Sequence, residues 1–164
     1  MGDLRSRTHL WNICRTRLVE LFPELTLDLE EVDGERMARA LASLPMHTCM
    51  PVIKTYLNSW ATSTRYHEEN RLTCVFGCSV SDHLSHYLRC EYLWQHISAA
   101  TGISAADNDI MARLGLVDAS VTDFRILACI FLSYHSFKFA RANGSQPSPS
   151  DVLAVNARAQ KVTQ

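Results

Sequence analysis

Residues 74–90 read CVFGCSVSDHLSHYLRC. Cys74 and Cys78 bracket a short turn, and His86 and Cys90 stand four positions apart further on. As a ligand pattern this is C-x3-C-x7-H-x3-C. Zinc takes four thiolate or imidazole ligands in a tetrahedron. Gly77, just before the second cysteine, suits a left-handed backbone that a side chain would resist. From Ser81-Asp82, a helix cap, to about Ala100 the apolar spacing is helical. His86 and Cys90 then fall one turn apart on one face. A loop pair opposite a helix pair closes the coordination shell, and a closed shell is structural rather than catalytic. His83 lies three residues before His86 and is the alternative fourth ligand; His86 is preferred for its i,i+4 relation to Cys90. One structural Zn2+ is the expected cofactor. Three thiolates against the divalent ion leave the site slightly anionic, which argues against phosphate contact at the metal itself.

Outward from this stretch the chain reads as helix. Leu10, Trp11, Cys14, Leu18, Leu21 and Phe22 share a helical stripe that Pro23 ends. Glu35 to Leu44 is a second helix, entered at Asp33-Gly34 and stopped by Pro45. A third is expected to begin near Pro51, a favourable first-turn residue, and to carry Tyr56, Leu57 and Trp60 on one stripe. Ala61 to Thr73 is polar and reads as loop or short strand. A short helix is expected over about Asp107 to Leu114. Ser120-x-x-Asp123 resembles a capping box opening a long apolar helix that closes at Asn143-Gly144. The fold class is mainly α, with one zinc knuckle. The expected organisation is an N-terminal helical segment (1–45), a zinc-knuckle helical domain (46–143) and a linker with a C-terminal tail or helix (144–164). Tyr56, Trp60, Leu88, Trp94 and Phe131 are expected to share one core.

Composition narrows the function classes. The 164 residues include 16 Lys+Arg and 17 Asp+Glu, a net charge of −1, which excludes a generally polybasic DNA-coating protein. Residues 24–35 carry six acidic side chains and no Lys or Arg, and read as a solvated loop and helix start. Six cysteines are too sparse for a disulfide-stapled miniprotein. Cys14 and Cys129 sit in apolar stripes and read as buried small hydrophobes. The longest apolar run, Ile126 to Leu132, is far short of the ~20 residues that span a bilayer. Met1 to Arg17 lacks the apolar core of a secretory signal. The expected location is intracellular, nuclear or cytoplasmic, with no membrane partner.

The stretch Leu57-Asn58-Ser59-Trp60-Ala61-Thr62-Ser63-Thr64-Arg65, followed by Cys74-x3-Cys78, Asp82-x3-His86-Tyr87 and Cys90, is similar to a known module. It resembles the zinc-binding region C-terminal to the reverse transcriptase domain of non-LTR retroelements. The resemblance covers about residues 50–100. It implies that Cys74, Cys78, His86 and Cys90 carry the metal, and that RNA, DNA or a separate reverse transcriptase chain is the partner. Two positions depart from the pattern: Ser59 stands where glycine is frequent, and Thr64-Arg65 replaces a more basic pair. No Asp-Asp pair occurs, so the polymerase's catalytic residues are not in this chain.

Other chemistry is weak. His67-Glu68-Glu69-Asn70-Arg71 fails HExxH at its fifth position. His47-x-Cys49 is a poor nucleophile pair. No nucleotide-binding glycine loop or hydrolase elbow occurs. An enzyme is not expected. His135 reads as a satisfied, partly buried histidine. Basic residues beside aromatics suit single-stranded nucleic acid, and Arg65 with Tyr66, Arg71, and Arg89 with Tyr92 are the candidates. The expected function is a zinc-binding, nucleic-acid-binding helical module. The alternative is a zinc-stabilised structural or protein-interaction domain with no nucleic-acid ligand.

Overall fold

Pro23 ends the first helix, as its missing N–H requires. A computed structural model of the chain describes residues 4–101 and 109–144. Helix α1 spans Leu4–Leu21 and buries Trp11, Cys14 and Leu18 along one stripe. A 3-10 turn, Pro23–Leu25, leads into α2, Thr26–Glu31, so the acidic stretch is more helical than its charge suggests. Helix α3 spans Gly34–Ser43. Its cap is Asp33, whose side chain accepts from the N–H groups of Glu35 and Arg36. Those donors, Arg36 first, hold the Asp33 carboxyl below its ordinary value. Gly34 is required because a side chain there would strike the Trp11 ring.

Helix α4 spans Met46–Tyr56, and Pro51 lies inside it. The expected start near Pro51 is therefore corrected. Pro45 caps the helix instead, its carbonyl accepting from Thr48 and Cys49 at 2.9 Å each. An interior proline costs about 3 kcal/mol. Burial of Thr48, Pro51, Val52, Thr55 and Tyr56 along this helix offsets that cost. The helix ends at Tyr56; Asn58 turns left-handed at φ +51, and Trp60 falls beyond it.

The helix expected from 81 to 100 is two. Helix α5 is a single turn, Leu84–Tyr87, and α6 spans Glu91–Thr101. His83 caps α5, and the carbonyl of Cys90 accepts from Trp94 as α6 opens. Helix α7 spans Ile110–Arg113. Residues 107 and 108 of the expected short helix, and the tail from 145 onward, lie outside the described residues. Helix α8 spans Val121–Ala142. Ser120 Oγ accepts from the Asp123 N–H at 3.1 Å and donates to the Asp123 carboxylate at 2.7 Å. Among the described residues no strand occurs; a lone antiparallel bridge joins Thr73 and Ser81.

The described residues form two compact units. The first holds 4–59 and 111–128, and so joins the described part of the expected 1–45 segment with α4. Trp11 meets Tyr56 edge-on at 6.3 Å there, and the Tyr56 hydroxyl donates to the Leu114 carbonyl at 2.7 Å. The second holds 60–101, 109–110 and 129–144. Its centre is Trp60, fully buried among Tyr87, Phe131, Tyr134 and His135. Tyr56 therefore belongs to a different unit from Trp60, Leu88, Trp94 and Phe131. Helix α8 contributes to both, changing at residue 128.

Candidate metal centre

The site begins with the turn from Cys74 to Cys78. The Cys74 N–H donates to the Val80 carbonyl at 2.8 Å, and the Phe76 N–H donates to Cys74 Sγ at 3.4 Å. Gly77 takes φ +101, a conformation that side chains resist. This loop brings Cys74 and Cys78 toward α5. His86 extends from that short helix, and Cys90 sits at the junction before α6. The pair is therefore not one continuous helix face, yet it converges.

The ligand atoms of Cys74, Cys78, His86 and Cys90 all lie within 4.8 Å of one another. Cys74 Sγ is 3.8 Å from Cys90 Sγ, and Cys78 Sγ is 3.0 Å from His86 Nε2. Cys74, His86 and Cys90 are buried, while Cys78 is half-buried. This donor set can hold one metal ion. His83, the alternative ligand, is occupied otherwise. Its Nδ1 accepts from the His86 N–H at 3.1 Å and lies 2.7 Å from Ser85 Oγ. Capping α5 is thus the role the structure gives it.

The thiols are coupled without an ion. Cys90 is drawn below the usual thiol value by the hydrogen bond from Cys74. The same bond, with burial, pushes Cys74 up to about 12. Burial raises Cys78. Of the two facing thiols, Cys74 is thus the one that holds its proton more tightly. A bound cation reverses this logic, because it takes thiolates and expels their protons.

Behind the cluster lies a residue read from sequence as a helix cap and as part of the retroelement-like motif. Asp82 is fully buried, and its carboxylate accepts from the Tyr87 hydroxyl at 2.7 Å and the Ser63 N–H at 2.7 Å. The Tyr134 hydroxyl donates to it at 3.1 Å, and Lys138 Nζ lies 3.5 Å away. Lys138 also pairs with Glu68 at 2.8 Å, which gives the failed HExxH stretch a structural part. Lys138 supplies the positive charge that a buried carboxylate needs. No spacing rule pointed to this network, since its bonded partners lie up to 70 residues apart.

Arg65 and Arg71 are exposed on the 61–73 loop, and Arg89 is exposed between His86 and Cys90. The Arg65 guanidinium stands 5.7 Å over the ring of Tyr66, itself 60% exposed. His135 is half-buried as expected, with Nδ1 2.8 Å from the Phe131 carbonyl and Nε2 accepting from the Ala61 N–H at 3.4 Å. His47 is exposed. Cys49 and Cys14 line an apolar cavity of about 140 Å³ with Leu10, Trp11, Leu41 and Ile53. No described helix is long and apolar enough to cross a membrane. A scan of protein-family models, a search of curated proteins and a search of solved structures each returned no match.

Proposed function

We propose that this chain is a zinc-stapled helical module of retroelement reverse-transcriptase origin that binds single-stranded RNA or DNA. The observation that carries the zinc assignment is the convergent Cys3His set. Tetrahedral zinc–thiolate bonds of ~2.3 Å place sulfurs about 3.8 Å apart, and Cys74 and Cys90 stand at 3.8 Å. A sulfur-rich, closed, mostly buried set suits zinc and leaves no open position for a reacting water. The origin rests on the resemblance of residues 57–65 and 74–90 to the retroelement module. Nucleic-acid contact is drawn from Arg65 over Tyr66, with Arg71 and Arg89: cations for phosphate and an open ring for a base. A reverse transcriptase in a separate chain and an intracellular setting, nuclear or cytoplasmic, go with this reading.

The near-neutral charge and the 72% exposure of Phe139 favour a second reading, a zinc-stabilised protein-interaction domain. One experiment separates them. Zinc is counted per chain for the native protein and Cys90→Ser, and a labelled single-stranded oligonucleotide is titrated over a salt series. One zinc in the native chain, lost with helicity in Cys90→Ser, is expected. For nucleic-acid binding, log K falls with log salt, and Arg65→Ala or Arg71→Ala each shallows the slope by about 0.7. A zinc-loaded chain with no salt-dependent affinity selects the interaction domain.

A further inference from the structure

The buried Asp82 network meets the metal cluster at the hydroxyl oxygen of Tyr87. That hydroxyl donates to Asp82 Oδ1 at 2.7 Å and accepts from the Val75 N–H at 3.2 Å. Val75 directly follows Cys74, and Tyr87 directly follows His86. That oxygen ties the limb carrying Cys74 to the limb carrying His86, beside the backbone bonds from Cys74 to Val80 and from Asp82 to Leu72. The Tyr87 ring is fully buried, stacked on Trp60 at 5.6 Å and edge-on to Phe76 at 5.8 Å. Its carbonyl accepts from the Trp94 indole N–H at 3.2 Å, which fixes the start of α6 just beyond Cys90. Donation to a carboxylate makes the phenolic oxygen a stronger acceptor, since linked hydrogen bonds polarise one another.

We infer that Tyr87, oriented by Asp82, is the positioning residue of the metal centre: it sets the distance between the Cys74 and His86 limbs before any ion arrives. Its ring also lies against that of His86, the centroids 5.4 Å apart. It acts by holding two backbone segments so that less ordering remains to be done on binding. The inference rests on the metal reading above. Tyr134 provides an internal contrast. Its one hydroxyl proton is shared between the same carboxylate, at 3.1 Å, and the Ala61 carbonyl, at 2.9 Å, away from the cluster loop.

The test is zinc affinity measured by competition with a chromophoric chelator, on the native chain, Tyr87→Phe and Tyr134→Phe, beside the thermal stability of each metal-free protein. Tyr87→Phe is expected to weaken zinc binding about 10- to 100-fold. Tyr134→Phe is expected to lower stability while leaving affinity within about twofold. Affinity unchanged in Tyr87→Phe overturns the inference and leaves the metal reading standing, as does equal weakening in Tyr134→Phe. A native chain that takes up no zinc overturns both. Hydrogen exchange on the native chain gives a measurement independent of variant folding. The Val75 amide is expected to be protected without metal as well as with it; free exchange in the metal-free chain overturns the inference.

Discussion

Cys14 shows what burial does to one side chain. It is 1% exposed on α1, and burial pushes its thiol from 9.0 to about 11. The unfolded chain releases this proton near pH 9, whereas the folded chain holds it until about pH 11. The neutral thiol's contribution is therefore complete below pH 9 and is lost as pH rises through 11. Two pH units of difference correspond to about 2–3 kcal/mol. Urea unfolding at about pH 8 and about pH 10.5 should show that loss in the native chain and a smaller one in Cys14→Ala. At the same scale, Gly77, Cys74 and Cys78 were legible from sequence because a turn chemistry and a ligand type are local properties. Asp82 was not, because its partners Ser63, Tyr87, Tyr134 and Lys138 come from three separate stretches.

Elements reveal where local preference yields. Helix α4 keeps Pro51 in its interior because the buried side of the helix outweighs the lost N–H. The stretch after Ser81 breaks into α5 and α6 although its apolar spacing suits one helix. Asp82 is drawn inward by hydroxyl and amide donors, and His83 takes over the cap. Helix α8 follows its sequence signal closely, as Ser120 and Asp123 cap it through each other. Ser120→Ala should cost about 1 kcal/mol by urea unfolding, since the Asp123 N–H then loses its acceptor. A variant within error of the native chain would mean that packing of Phe124 and Leu127 alone starts the helix.

On the scale of the whole molecule, metal dependence should be unequal. The cluster lies in the unit built around Trp60, and its four ligands all belong to that unit. Without a cation Cys74 and Cys90 keep only their mutual contact at 3.8 Å, whereas a bound cation would draw all four side chains to itself. Chelation should therefore speed amide exchange first over residues 72–90, while α1 around Trp11, in the other unit, keeps its protection. Uniform acceleration along the chain would show that the two units unfold as one. The same unequal dependence bears on the proposed function, because Arg65, Arg71 and Arg89 lie in the unit that carries the Cys3His cluster.

The sequence by itself determined the helical class, the left-handed turn at Gly77 and a cysteine-histidine set able to take a metal. Each follows from periodicity, backbone freedom or ligand chemistry, which act over a few residues. Only the tertiary structure brought His86, rather than His83, beside the three cysteines, placed Tyr56 and Trp60 in different units and gathered Asp82, Tyr87, Tyr134 and Lys138. Those outcomes depend on which distant groups compete for one buried hydrogen bond. A buried carboxylate must satisfy its charge wherever the folded chain brings donors, and no short-range pattern records where that will be.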